Sequence, residues 1–253
     1  MATIKEVAAR AQVSTTTVSH VINNTRKVND ATRARVEDAM RDLDFHPNAL
    51  ARSLRSGSSK TIGLIIPDIA NLFFAEAARY IEDYGKNAGY SVILCNADNN
   101  PQKEASYVQV LIEKMVDGII FISSGDSAHN IKKLQSNNIP VVFADRDVQD
   151  QPVDTVMVNN QQGGKLATEH LIQLGHRRIA CISGPVGIRV SIQRMHAFHN
   201  TMKEHGMSVP VAYCTEGDFG FESGERCMRQ MLARGARPTA VFVGNDMMAF
   251  GAI

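Results

Sequence analysis

From residue 62 onward, short apolar runs alternate with longer amphipathic stretches, and this alternation restricts the fold more than any other feature of the sequence. Apolar, strand-like runs appear at 62–67, 91–96, 118–123, 141–145, 155–160, 179–183, 212–217 and 240–244, most of them nearly continuous. That is the pattern of strands buried on both faces. Helical patterns lie between most of them, for example at 74–88, 102–115, 163–174 and 222–233. Repeated strand–helix units predict doubly wound parallel sheet with helices on both faces. Pro140 stands just before its strand, where a missing N–H does little harm.

Polar residues follow the apolar runs: Asp68, Asp98, Ser123-Ser124, Asp145-Arg146, Asn159-Asn160, Asp218 and Asn245-Asp246. In open α/β sheets the ligand crevice lies beyond the carboxyl ends of the strands. Carboxylates, amides and a guanidinium, with Phe73, Phe74 and Phe219 nearby, suit a polyhydroxylated ring. Polar groups take its hydroxyls, and aromatic faces take its apolar side. Taken singly, each of these residues is equally an ordinary loop residue capping a helix. The recurrence at nearly every strand end is what favours a site.

Residues 1–44 have a different texture and read as three short helices. Thr3 and Glu6 make a capping-box pattern, and Ile4, Val7, Ala8 and Ala11 follow on one helical face. Ser14 caps a second helix over 15–22, and Asn29 a third that buries Val36, Met40 and Leu43. Phe45-His46-Pro47 stops the third helix, because proline disfavours helical geometry in the residue before it. Asn48 caps a short segment over 49–54, and residues 55–60 read as a flexible linker. A helix that short needs something else to order it.

The formal net charge of +1 conceals an uneven distribution. The first 60 residues hold ten Lys/Arg against six Asp/Glu, and the remainder 17 against 20. A basic head on a mildly acidic body hints at a polyanionic partner. With 44% hydrophobic and 21% charged residues, the composition is that of an ordinary globular chain. There is no apolar run long enough for a membrane span, nor an N-terminal h-region, so a cytoplasmic location is expected. The four cysteines are scattered without a CxxC, which suits reduced core thiols.

The head carries a long ordered string: Ala2-Thr3-Ile4-Lys5, Val7-Ala8, Ala11, Val13-Ser14, Thr16-Thr17-Val18-Ser19 and Val21-Ile22-Asn23. Arg33 and the run from Pro47 through Leu54 continue it. This string resembles the DNA-binding headpiece of the LacI/GalR family of bacterial transcription regulators, nearest to its ribose and purine repressor branch. In the body, Asn71-Leu72-Phe73-Phe74, Val116-Asp117-Gly118, Gly163-Gly164, Leu174-Gly175-His176-Arg177-Arg178, Gly217-Asp218-Phe219 and Gly244-Asn245-Asp246 also fit. The body is thereby similar to periplasmic sugar-binding proteins. Leu72, Asn159 and Ala197 depart from the residues usual in that family.

The resemblance implies an all-α helix-turn-helix headpiece joined to an α/β periplasmic-binding-protein-like body of two doubly wound parallel-sheet lobes. The headpiece is expected at 1–46, a hinge helix and linker at 47–60, the first lobe at 61–160 and the second at 161–253. Family members run on beyond the position of Ile253, so the second lobe is expected to be incomplete. The implied function is that of a repressor: a homodimer on a pseudo-palindromic double-stranded operator, controlled by a small effector. That effector is a sugar such as ribose or, in the alternative, a purine. No metal, cofactor or membrane is called for.

Within that frame the second helix is a recognition helix in the major groove. Thr15, Thr16 and His20 face base edges. Thr17, Ser19, Asn23, Arg26 and Lys27 hold phosphates, and Thr3 and Ser14, at the first two helix starts, complete that surface. Leu50 and Leu54 of the hinge belong to a minor-groove wedge flanked by Arg52 and Arg55. The effector set is Asn71, Phe73, Phe74, Asp98, Arg146, Asn160, Arg194, Phe219 and Asp246.

Three rival readings stand beside this one. An enzyme lacks support: Gly163-Gly164-Lys165 resembles part of GxxxxGK[ST], but Asn159 and Leu166 break it. His196, His199 and His205 lack the HExxH pattern of a metal hydrolase. A sugar receptor without a DNA role would have the same body but no headpiece. A shortened relative with an impaired effector response is the third.

Overall fold

The structure is a computed structural model that describes residues 2–46, 57–123, 127–146, 152–235 and 237–253. Its contacts divide into two compact units, Met1–Ser59 and Lys60–Ile253.

The first unit holds helices α1 (Ile4–Ala11), α2 (Thr15–Asn23) and α3 (Asp30–Asp42). Each begins where the sequence supplies a cap. A Glu6 carboxylate oxygen accepts the Thr3 amide at 2.6 Å, while Thr3 Oγ1 accepts the Glu6 amide at 3.4 Å, closing the capping box. The hydrogen bonds from Thr3 hold the Glu6 carboxyl below its usual range. Ser14 accepts the Thr17 amide at 3.1 Å, and Asn29 accepts the Thr32 amide at 2.7 Å. Between α1 and α2, Gln12 takes the left-handed conformation (φ 55) usually left to glycine, and the Val13 amide bonds the Ala8 carbonyl at 3.0 Å. These bonds satisfy late carbonyls of α1 and turn the chain within two residues.

Val7, Val18 and Val36, one from each helix, are wholly buried, with Ala8, Ala11, Val21 and Ala39 around them. Ile4, Val13, Val28, Met40 and Phe45 pack partly against this centre. Each buried valine contributes about 1.5–3 kcal/mol, a large share of the stability of so small a domain. The Arg10–Asp42 ion pair at 2.8 Å joins α1 to α3 at the surface, where it adds at most about 1 kcal/mol. The expected hinge segment, with Leu50, Arg52, Leu54 and Arg55, lies outside the described residues.

The second unit contains two parallel sheets. Strands β1 (Thr61–Ile66), β2 (Ser91–Asn96), β3 (Gly118–Phe121), β4 (Val141–Ala144) and β5 (Asp154–Val156) form the first, in the order β2-β1-β3-β4-β5. Helices α4 (Leu72–Asn87), α5 (Pro101–Glu113) and α6 (Ala128–Ser136) connect them. After α7 (Asn160–Gln173), strands β6 (Ile179–Ser183), β7 (Cys214–Glu216) and β8 (Ala240–Val243) form the second sheet, in the order β7-β6-β8. Its helices are α8 (Arg189–Glu204), α9 (Phe221–Ala233) and α10 (Asp246–Ala252).

Both central strands divide their side chains between two cores, as the period of two requires. In β1, Ile65 joins Leu111, Phe121, Ile131 and Phe143 on one face, while Leu64 and Ile66 join Phe74 and Ile122 on the other. In β6, Ile179 and Cys181 pack with Phe198 and Phe242, and Ala180 and Ile182 with Cys227, Met231 and Met248. All five residues of β6 are buried, which explains its unbroken apolar run.

Three expected strands have a boundary displaced by two residues or more. The run at 155–160 yields only Asp154–Val156, because Asn159 caps α7 by accepting the Gln162 amide at 2.9 Å. The run at 212–217 begins as a 3-10 turn, Val211–Tyr213, set by the Tyr213 amide on the Pro210 carbonyl at 2.8 Å. The run at 118–123 stops pairing regularly after Phe121, although the Ile122 amide still bonds the Ile65 carbonyl at 2.9 Å. Among the described residues no helix is long and apolar enough to cross a membrane, and no His, Cys, Asp and Glu cluster suited to a metal occurs. All four cysteines are free; burial, with Cys214 adding to it, pushes the Cys181 thiol up to about 12.

Candidate functional site

A polar cleft of about 490 Å³ opens in the second unit at the carboxyl ends of both sheets. Asp68 and Asn71 follow β1, Asn99 follows β2, and Asp145 and Arg146 follow β4. From the second sheet come Asp218, Phe219 and Gly220 after β7, and Asn245 and Asp246 after β8; Val190 and Arg194 stand on α8. Parallel strands all deliver their ends to one side, so the topology itself gathers these groups.

Two guanidinium groups organise the cleft. Arg194 donates from Nε to Asn160 Oδ1 at 2.8 Å and from Nη1 to the Gly244 carbonyl at 2.9 Å, tying α8 to α7 and to the end of β8. Arg146 is 7% exposed and donates from Nη1 to the Ser123 carbonyl at 2.7 Å. Its Nε is buried without a hydrogen-bond partner among the described residues. The Arg146 guanidinium carbon lies 5.8 Å from the centre of the Phe74 ring and 5.9 Å from that of Phe219, within cation–π range of both. Burial pulls the Arg146 pKa down, against the charges of Asp145 and Glu104.

The carboxylates differ in character. Burial pushes the Asp145 carboxyl up, against the opposing pull of Arg146 and Arg194. The Ser223 hydroxyl, with the Gly220 amide and Arg226, holds the Asp218 carboxyl below its usual range. Asp145 (φ 61) and Phe219 (φ 72) both occupy the left-handed region, a strain that recurs where loops clamp ligands. Phe219 lies directly over Gly184, where a Cβ would meet its ring at 2.2 Å. Any larger residue at Gly184 would drive that ring from its place.

Of the effector set, Asn71, Phe73, Phe74, Arg146, Arg194, Phe219 and Asp246 line the cleft together. Asn160 stands behind it, holding Arg194. Asp98 is not among the lining residues: its carboxylate takes an ion pair from Lys103 and a hydrogen bond from Asn96 at 2.6 Å, and its neighbour Asn99 faces the cleft instead. The Lys103 contact holds Asp98 below the usual carboxylate range. Asn99, Val158, Val190 and Gly220 were not anticipated. Val190 was open to detection, since it precedes Arg194 by one helical turn.

On the first unit, Thr15, Thr16 and Arg26 are exposed on and after α2. Ser14 and Thr17 share a hydroxyl contact at 2.9 Å, and Asn23 Nδ2 donates to the Ser19 carbonyl at 2.7 Å. His20 Nδ1 meets Thr25 Oγ1 at 2.8 Å, which leaves the other ring nitrogen for a partner. Thr3 remains engaged in its capping box.

Comparison with known proteins agrees with both units. Residues 3–48 match the family of bacterial regulatory proteins, lacI family, and residues 59–253 match periplasmic binding proteins and sugar binding domain of LacI family. The chain is similar to the HTH-type transcriptional repressor PurR of Photobacterium profundum, at 41% identity over 100% of this chain and 76% of the relative. It is similar to the ribose operon repressor of Escherichia coli (strain K12), at 40% identity over 99% of this chain and 76% of the relative. A crystal structure of the Lac repressor dimer bound to operator and the anti-inducer ONPF matches with a TM-score of 0.86 and 31% identity, covering 99% of this chain and 76% of that one. A helix-turn-helix head and a two-sheet binding body, matched along the whole chain, make this protein a member of the LacI family of bacterial regulatory proteins.

Proposed function

We propose that this chain is a cytoplasmic, sequence-specific DNA-binding repressor that acts as a homodimer and whose operator affinity is controlled by ribose or a closely related sugar. The observation that carries the effector class is the charge and shape of the cleft. Asp68, Asp145, Asp218 and Asp246 face Arg146 and Arg194, beside Asn71, Asn99 and three phenylalanine rings. Carboxylates outnumber guanidinium groups four to two, and Nη1 of Arg146 with Nε and Nη1 of Arg194 are committed to oxygens of the protein itself. Such a lining accepts hydroxyl protons readily and repels an added phosphate. A purine is the second candidate, favoured by the edge-to-face pair Phe73–Phe74 at 5.2 Å and by the relatives named PurR.

In this account the head reads DNA through Thr15, Thr16 and His20, with Thr3, Ser14, Thr17, Ser19, Asn23 and Arg26 on the backbone side. Leu50, Arg52, Leu54 and Arg55 of the hinge enter the minor groove. An effector that prefers one arrangement of the body shifts operator affinity by its differential affinity for the two arrangements. Domain limits of 1–46, 47–60, 61–160 and 161–253 follow from the same account. The test is operator release measured by fluorescence anisotropy with D-ribose, ribose 5-phosphate or hypoxanthine. Release by ribose alone supports the proposal; release by the phosphate ester, or capture by hypoxanthine, replaces it.

A further inference from the structure

Glu104 is 1% exposed, and neither DNA binding nor the lining of the cleft uses it. Its position in the first turn of α5, whose N-cap is Asn100, favours a negative charge there. A buried carboxylate is costly unless donors and a counter-charge surround it. Its donors include Ser127 Oγ at 2.8 Å and Asn130 Nδ2 at 3.2 Å, both on Glu104 Oε1. Ser127 Oγ in turn meets Ser123 Oγ at 2.6 Å, and the Ser123 carbonyl accepts from Arg146 Nη1 at 2.7 Å. Ser123, Ser127, Asn130 and Arg146 are all buried. One polar chain therefore crosses the interior from α6 through α5 to the cleft, with a negative charge at one end and a positive charge at the other.

We propose that Glu104 is a positioning residue for the cleft: acting through Ser127 and Ser123, its carboxylate fixes the Arg146 guanidinium in the orientation a ligand meets. Arg146 has the Phe74 and Phe219 ring faces beside it on the cleft side, and its Nε has no partner among the described residues. Rings steer a cation weakly, so the orientation is set from behind. Arg146 lowers Glu104's cost of burial, and Glu104, after its neighbour Asp145, helps keep Arg146 charged in a place where burial opposes charge.

The decisive variant is Glu104→Gln, which keeps shape and an acceptor oxygen but removes the charge. The readout is the hydrogen exchange of the Arg146 Nε–H group in the full chain without ligand, followed by NMR and assigned with Arg146→Lys. Exchange is expected to quicken by about tenfold, equivalent to about 1.4 kcal/mol, because a guanidinium no longer held from behind brings its buried, unbonded Nε–H to water, with the melting temperature held. Unchanged exchange in Glu104→Gln overturns the proposal, because a purely structural hydrogen-bonding role survives that substitution. If Glu104→Gln does not fold, Ser127→Ala breaks the bridge and leaves the charge in place; unchanged exchange there also overturns it.

The affinity arm rests on the function proposed above. D-Ribose is expected to bind Glu104→Gln about tenfold more weakly by calorimetry, and equal affinity counts against positioning. If the native chain does not bind ribose at all, the effector assignment fails while the exchange measurement still decides the role of Glu104.

Discussion

Gly163 and Gly164 are adjacent in α7, yet replacing each by alanine should change stability in opposite directions. A Cβ on Gly163 meets nothing within 4 Å, whereas one on Gly164 would lie 2.8 Å from Ala197 Cβ and 2.9 Å from the Arg194 carbonyl oxygen on α8. Both substitutions gain helix propensity worth about 0.8–1 kcal/mol. For Gly163→Ala that gain stands alone, and at roughly 2–4 °C per kcal/mol for a domain of this size the melting temperature rises by a few degrees. For Gly164→Ala, α7 and α8 must separate by about 0.6 Å to restore ordinary contact at 3.4 Å. Overpacking of this kind costs about 1–3 kcal/mol, leaving a net loss of up to about 2 kcal/mol.

The displaced residue also lines the cleft. Arg194 is held by bonds of 2.8 and 2.9 Å to Asn160 and Gly244, so moving α8 loosens it at the cleft. Calorimetry should therefore show ribose affinity reduced about tenfold in Gly164→Ala and unchanged in Gly163→Ala, the tenfold corresponding to 1.4 kcal/mol. Adding Ala197→Gly to Gly164→Ala removes the nearer clash and should restore part of both losses. The reasoning fails if both alanines raise the melting temperature equally, or if Gly164→Ala leaves affinity intact.

Other expectations follow from single sites. Thr16→Ala should weaken operator binding while preserving the fold of the head, with a cost of about 1–3 kcal/mol per lost base contact; competition anisotropy against scrambled DNA measures it. Val36→Ala removes two methyl groups from the wholly buried centre of the head and should cost about 2 kcal/mol, lost as head signals in an amide NMR spectrum. Asp145→Asn should raise the melting temperature at pH 7, since burial disfavours the charged carboxyl and asparagine tolerates the left-handed backbone. That advantage should shrink as the pH falls through the raised folded-state pKa, where the native carboxyl becomes protonated in the fold; an advantage that grows on acidification contradicts the assignment. A thiol reagent should modify half-buried Cys214 first and reach Cys95, Cys181 and Cys227 only on unfolding.

Much of this architecture was legible because local chemistry and fold agree. Thr3 with Glu6, Ser14 and Asn29 mark three helix starts by side chains that cap whatever the tertiary context, and all three caps are present. The runs at 91–96 and 179–183 became strands over the same residues; the second is buried throughout, while the first lies at the sheet edge and leaves Leu94 exposed. Legibility failed where one residue served two patterns. Met157 and Val158 continue an apolar run, but Asn159 immediately after them offers a cap, and the cap won. For the cleft, strand ends located its polar residues. Which side chain of a pair faces inward depends on local turn geometry: Asp98 and Asn99 both adopt positive φ, and only Asn99 turns to the cavity. The Glu104 chain was not visible at all, because it joins residues spread between positions 104 and 146 that no periodicity links.

The most direct test of the central claim is the affinity of the chain for a fluorescent pseudo-palindromic duplex with a central CpG step, measured against a scrambled duplex at two salt concentrations, with and without D-ribose. The account predicts tight binding to the palindrome over the scrambled duplex, steep weakening with salt from phosphate contacts, and release by ribose. Equal affinity for the two duplexes, at either salt concentration, would contradict it.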